Sequence, residues 1–434
     1  MKAETQPEAP GAFEKTFVFF VLLLSTGAFM SLTVARGQGQ EGATDNTSMQ
    51  LAWMSIYFVA VVLLLWKCRA ALKESCREYL LVALTVLALG STVWSDDPGV
   101  SLRRGIALVL TCLFGVYLGS RFSLREQLRL AASVCAVCVV SSLIFGILGL
   151  GNPVEDIPDA WYGIFVHKNV LGRMMVLSIL IFVISAKTES KKGFRYWSAA
   201  GLACVLLLLA RSATSLAVLA AMVGFLFFCP ALRRSRSGLI KASIAGLAAI
   251  GIGVYWASQN LEYILGLFGK DLTLTGRLQL WVLSTIMALQ TPWLGHGYNA
   301  FWLGPGSTSE RILAVVQWDA PHAHNGLLEL WLELGLVGVV LFLAGFICYV
   351  GRAVSFLRRN RSPEAIWPLC FFTFMFLSNL TESDFLSRNT IFWILYVAVV
   401  VTLRREGDAP RPAIIDFGRR PAPQGLAVPR ICEG

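Results

Sequence analysis

Tyr196–Pro230 reads YWSAAGLACVLLLLARSATSLAVLAAMVGFLFFCP, apolar throughout except at Ser198, Arg211, Ser212, Thr214 and Ser215. As one helix it would run about 52 Å, well beyond a hydrocarbon layer of roughly 30 Å. Basic clusters flank it on both sides: Lys187, Lys191, Lys192 and Arg195 before it, Arg233, Arg234, Arg236 and Lys241 after it. Short connectors rich in Lys and Arg stay on the cytoplasmic face, so both clusters belong on one side and the chain must turn back at Arg211. The segment therefore reads as a hairpin of two short membrane helices with Arg211 at its outer tip. An arginine at mid-bilayer depth costs about 2.5–3.5 kcal/mol on insertion scales, so its guanidinium either snorkels to headgroups or faces a ligand in a watery cavity. Of the two, we favour the ligand.

The rest of the chain follows the same rule. Of its 434 residues 56% are hydrophobic and 15% charged, against about 25% charged in a soluble protein, which excludes an ordinary soluble fold. A net charge of +10 would point to nucleic acid in a soluble chain. Here the basic residues lie in short patches between apolar runs, so the partner is membrane lipid and no nucleic acid. Candidate spans lie near 16–34, 49–66, 79–94, 103–119, 128–148, 170–186, 195–210, 213–229, 239–256, 327–350, 364–380 and 388–404. The expected fold is an all-α polytopic membrane protein with about 12 transmembrane helices and one long helical loop on the outer face. Its parts are a cytoplasmic N-terminal tail (1–15), helices 1 to 9 (16–256), the loop (257–326), helices 10 to 12 (327–404) and a cytoplasmic C-terminal tail (405–434). Glu4, Glu8 and Glu14 set against Lys2 and Lys15 deny the first span a basic leader, so it reads as a retained helix, not a secretion signal. With that orientation about 27 of the 37 basic residues fall inside. All ten cysteines lie in spans or inner segments, away from an oxidising exterior, and the Cys135/Cys138 pair reads as packing within a span.

The loop 257–326 is too long for a mere connector. Apolar residues recur at helical spacing at Leu278, Trp281, Val282 and Thr285, and Pro292, Trp293, Leu294, Gly295, His296 and Gly297 follow. This predicts a helix lying at the membrane interface, then a glycine-bracketed turn, together covering the bundle.

All four histidines, His167, His296, His322 and His324, fall on the outer side. Pro321-His322-Ala323-His324-Asn325-Gly326 immediately precedes a span. His324 thus sits at the amino-terminal end of a helix, whose dipole disfavours the imidazolium. A neutral imidazole suits general-base work at neutral pH. The His-Xaa-His pair could instead ligate a metal, but no carboxylate or cysteine cluster completes a site in the sequence, so the base is preferred. Arg211 and Arg277 share that side, with Lys168, Arg173 and Arg388 as further outer-face candidates. Arginine's planar fork matches phosphate oxygens better than the point charge of lysine. A histidine base with outer arginines points to transfer from a diphosphate donor, although Arg277, at the start of the interfacial helix, reads equally well as a headgroup anchor. Glu329 and Glu333, four apart on the next span, could orient a basic group, but ordinary helix-end solvation is preferred.

The pattern resembles the bacterial O-antigen ligases, in the superfamily that also holds O-antigen polymerases and protein O-oligosaccharyltransferases. His324, Asn325, nine residues, then Gly335-Leu336-Val337-Gly338 is similar to the ligase motif His-Asn, nine residues, Gly-Xaa-Xaa-Gly. Gly276-Arg277-Leu278-Gln279-Leu280-Trp281 followed by Pro292–Gly297 resembles the superfamily's outer-loop signature. Arg211 with Ser212, and Gly163, Phe165, His167, Lys168 and Asn169, resemble family positions too. The polymerase pattern of Arg, ten residues, Gly is missing at both arginines, where Met222 and Ala288 occupy the final position, which favours a ligase.

The resemblance implies transfer of a completed glycan from undecaprenyl diphosphate to a sugar hydroxyl of the lipid A core oligosaccharide. The reaction would occur at the periplasmic face of a bacterial inner membrane, with inversion at the anomeric carbon. His324 would be the general base, and Arg211 and Arg277 the diphosphate ligands. His167, Lys168, Asn169, His322, Asn325 and Arg388 would be further substrate contacts. Arginines would supply the charge neutralisation, so neither metal nor cofactor is expected. The alternatives are a polymerase or a protein O-oligosaccharyltransferase of the same superfamily, or a lipid-linked sugar transporter, which the absence of an internal repeat disfavours.

Overall fold

The computed structural model describes residues 9–30, 47–68, 72–73, 75–150, 160–233, 276–318 and 320–407. Among them are thirteen α-helices and no strand: α1 Ala12–Ser25, α2 Thr47–Lys67, α3 Tyr79–Gly90, α4 Pro98–Arg121, α5 Leu124–Ile147, α6 Lys168–Thr188, α7 Gly193–Leu209, α8 Ala213–Phe228, α9 Arg277–Ala288, α10 Glu310–Val316, α11 Gly326–Arg359, α12 Trp367–Ser378 and α13 Ile391–Gly407. Seven helical stretches are long and apolar enough to cross a membrane, and shorter apolar helices lie beside them. The chain is an all-α polytopic membrane protein. The expected span at 239–256 and the first part of the expected loop, 257–275, lie outside the described residues.

Local sequence explains where the helices begin. Asp97 caps α4 by accepting the Val100 N–H, with Pro98 opening the helix, and Ser123 and Glu126 form a reciprocal capping box at α5. The chain breaks helix at Arg211, whose φ of +48° is left-handed, and Ser212 then caps α8. The expected turn is there, but the two helices diverge from it, because α7 packs along α6 while α8 leans on α12 and α6. Buried through most of its length, α6 forms the centre of the bundle.

Gly115 and Gly119 let α4 approach α13 closely, since a β-carbon at either would fall 2.7 Å from Val397 Cβ or 2.5 Å from the Ala398 carbonyl oxygen. At one end of the bundle Glu14 meets Arg121, while Glu78 accepts from both Arg352 and Arg404. Asp96, His296 and the candidate site lie at the other end.

The helix α11 differs from a plain span. It is broken at Gly335, which takes φ +65° and ψ −172°, a conformation open to glycine alone. The backbone of Pro292–Gly297 plugs into the break. His296 and Gly297 N–H groups donate to the freed Leu332 and Glu333 carbonyls at 2.8 and 2.9 Å, and Leu336 and Val337 N–H groups donate to Pro292 and Trp293 carbonyls at 2.8 and 3.2 Å. Backbone polar groups released inside a membrane bundle are thus satisfied by a neighbouring strand of chain. Gly295 is needed for the same reason, a β-carbon there falling 2.5 Å from the Glu333 carbonyl carbon. Two glycine motifs far apart in sequence form one joint. It carries the segment before the break, Gly326–Leu334, and with it the residues that precede α11.

Candidate active site

The joint fixes a loop, 320–325, over the end of the bundle. Glu329 accepts from the Ala323 N–H at 2.6 Å and from Trp302 Nε1 at 3.2 Å, and the Ala323 carbonyl accepts from Trp281 Nε1 of α9 at 2.9 Å. Glu333 accepts from Asn299 Nδ2 at 2.8 Å. Both glutamates are buried, which corrects the solvation reading: they are partners for the loop's donors, which could not otherwise be desolvated. Held this way, His324 adopts a left-handed φ of +50°, a conformation few non-glycine residues take and one that clusters at functional sites.

Around His324 the structure gathers groups from three distant parts of the chain. Arg277, first residue of α9, donates from Nη1 to the Thr381 carbonyl at 2.9 Å, and its Nη2 lies 3.5 Å from His324 Nδ1 and 3.5 Å from Glu382 Oε1. Glu382 Oε2 is 3.7 Å from His324 Nδ1. Arg173 of α6 reaches Asp384 at 2.7 Å and Glu382 at 3.6 Å. His322 stacks obliquely against His324, ring centroids 4.1 Å apart, and its Nδ1 accepts from the His324 backbone N–H. Asn379 shapes the acidic connector by accepting from the Asp384 and Phe385 N–H groups. A narrow cleft lies beside the cluster between α6, α8 and α12, lined by Arg173, Thr214, Ser215, Phe374 and Glu382 among others.

Burial lowers both histidines' pKa values, more strongly for His322, so both rings are neutral at pH 7. Burial alone would raise Glu382, but the facing His324, then Arg173 and Arg277, outweigh burial and hold the carboxyl well below its ordinary range. Asp384 is pushed up to about 6, burial outweighing the attraction of Arg173. His322, His324 and Glu382 place three ligand atoms within 4.8 Å of one another, enough to share a metal ion. The carboxylate that the sequence reading found lacking is therefore supplied by Glu382. Even so, a guanidinium nitrogen of Arg277 already sits 3.5 Å from both His324 and Glu382, so a fixed cation occupies this corner.

Other sequence candidates take different places. Arg211 is exposed at the turn immediately before the cap of α8, whose Thr214 and Ser215 line the cleft. His167 caps α6, its Nδ1 accepting from the Asn169 N–H, and Asn169 Oδ1 accepts from Ser212, tying the starts of α6 and α8 together. Lys168 opens α6. Asn325 is the cap of α11, its side chain accepting from Leu327 and Leu328. Arg388 donates to Asn299 in a separate cluster with Arg104 and Glu333. His296 is buried in a pair with Asp96.

Residues 198–343 match the family model described as O-antigen ligase. That stretch is similar to O-antigen ligases. It is also 28% identical over 393 residues, 87% of this chain and 88% of the relative, to the exopolysaccharide production protein ExoQ of Rhizobium meliloti (strain 1021). The chain is thus similar to membrane proteins of the O-antigen ligase and exopolysaccharide-producing kind. The matched stretch contains Arg211, Arg277, His322, His324 and the Gly335 joint, whereas Arg173, Glu382 and Asp384 lie outside it. Glu382 and Asp384 were missed from sequence. The one signal for them was a pair of acids in the short connector between two apolar spans.

Proposed function

We propose that the protein is a glycosyltransferase that moves a glycan from undecaprenyl diphosphate to a sugar hydroxyl of the lipid A core. Its site would face the periplasm of a bacterial inner membrane, with both termini cytoplasmic. The observation that carries this reading is a half-buried, neutral His324 in reach of both Arg277 and Glu382. In this proposal His324 takes the acceptor's hydroxyl proton as that oxygen attacks the anomeric carbon, and displacement in one step inverts the centre. Arg277 and Arg173 neutralise the diphosphate as it leaves, with Arg211 reaching it from the turn at the cleft's edge. Because guanidinium groups already supply positive charge beside His324, no metal is required.

The likeness to an exopolysaccharide production protein along nearly the whole chain favours a second reading, in which the acceptor is another lipid-linked glycan and the product a longer polymer. Purified protein, given undecaprenyl diphosphate glycan with or without lipid A core, separates the two. Glycan joined to the core supports ligation. Chain growth without the core supports polymerisation, and no covalent product would sink both.

A further inference from the structure

Two buried carboxylates stand where a diphosphate is meant to bind, which at first sight opposes the ligand. Their partners explain them. Glu382 Oε1 faces Arg277 at 3.5 Å, Oε2 faces Arg173 at 3.6 Å, and the same Oε2 faces the base His324 at 3.7 Å. Asp384 holds Arg173 from the other side at 2.7 Å. We infer that Glu382 is a positioning residue released by the donor: the diphosphate takes Arg173 and Arg277, and the freed carboxylate then accepts Nδ1–H of His324, leaving Nε2 as the base.

The inference rests on the reading of His324 as base. A diphosphate brings more charge and more acceptor oxygens to a guanidinium fork than one carboxylate, so it wins the competition for the arginines. Asp384 remains as a counter-charge for Arg173. Glu382, left in a low-dielectric site, then favours one imidazole tautomer and stabilises the imidazolium that forms during transfer, the role of a carboxylate behind a catalytic histidine. Before the donor arrives, Arg277 opposes protonation of the ring. The charged and titratable groups facing His324 are Arg277 on α9, Glu382 on the connector after α12, His322 on its own loop and His167 at the start of α6, with Arg173 behind Glu382. In the step itself the acceptor O–H proton passes to Nε2 as the new glycosidic bond forms. The bond between the anomeric carbon and the diphosphate breaks, and its electron pair leaves on the diphosphate oxygen beside the arginines.

Glu382→Gln tests this, because it keeps the shape and an oxygen for Nδ1–H but removes the charge that competes for the arginines. Two readouts are paired: calorimetric titration with farnesyl diphosphate in detergent, and the pH profile of kcat for glycan transfer. The expected result is farnesyl diphosphate bound severalfold more tightly, together with a lower kcat whose acid limb moves down by about one pH unit. A carboxylate that only supported packing would weaken binding and rate together and leave the limb in place; that result, or unchanged binding, overturns the inference. Should the Gln variant not fold, Glu382→Asp keeps the charge one methylene further back and is expected to shift both readouts in the same directions by less. His324→Ala separates the two levels: if it stays active the base reading falls, whereas if it is inactive while Glu382→Gln matches wild type only the present inference falls.

Discussion

Gly335→Ala should disable the joint that carries His324. A β-carbon there would lie 2.1 Å from the Trp293 carbonyl carbon and oxygen, both backbone atoms that no rotamer change can move aside. The glycine-only conformation adds about 1–3 kcal/mol for any other residue. To make room, the Pro292–Gly297 segment must withdraw, breaking the four backbone hydrogen bonds it makes with α11, each worth about 0.5–1.5 kcal/mol net. Together these give a loss on the order of 3–9 kcal/mol. Gly351, later in the same helix, has nothing within 4 Å of an added β-carbon, so Gly351→Ala should stabilise by about 0.5–1 kcal/mol through helix propensity. Thermal unfolding of both variants in one detergent, beside glycan transfer at a permissive temperature, makes the comparison. The expected outcome is opposite signs of stability change and loss of transfer only in Gly335→Ala. Equal stability with full activity in both would refute the joint.

Arg277→Ala should reduce transfer by about 10²–10³, the usual loss for one preorganised donor at a leaving group; Arg277→Lys should recover only part, because the lysine cannot hold Thr381 and the diphosphate together, and kcat of the two purified variants decides it. Since burial lowers the pKa of His324, the neutral base persists as pH falls, and the acid limb of kcat/KM should lie below the ordinary histidine value of about 6.5. A limb at or above that value would show a base that burial does not depress. Transfer in excess chelator should match transfer without it; strict dependence on an added divalent ion would assign His322, His324 and Glu382 to a metal instead.

Much of the fold was legible because membrane insertion writes it locally: apolar length gives the spans, and the basic clusters around Lys191 and Arg234 demanded the turn found at Arg211. From sequence His324 stood out as a histidine at a helix start, whereas Arg277 read equally well as a headgroup anchor, and only the structure brings the two within 3.5 Å. Glu382 and Asp384 were not, since their meaning lies in a contact with Arg173 and Arg277, more than 100 residues away in each case, and sequence spacing carries no such information. Glu329 and Glu333 were misread for a related cause. Helical periodicity places them on one face but does not reveal that the loop folds back over that face. The break in α11 was visible only as a glycine motif, its purpose depending on a second glycine motif docking against it.

The most direct test of the central claim is a single-turnover assay with defined undecaprenyl diphosphate glycan, comparing wild type with His324→Ala protein shown to be folded. Formation of the glycosidic bond and release of undecaprenyl diphosphate are followed together. A positioned general base predicts a fall of about 10²–10⁴ in the rate of both, with donor binding retained. A His324→Ala protein that transfers glycan at near the wild-type rate would contradict the account.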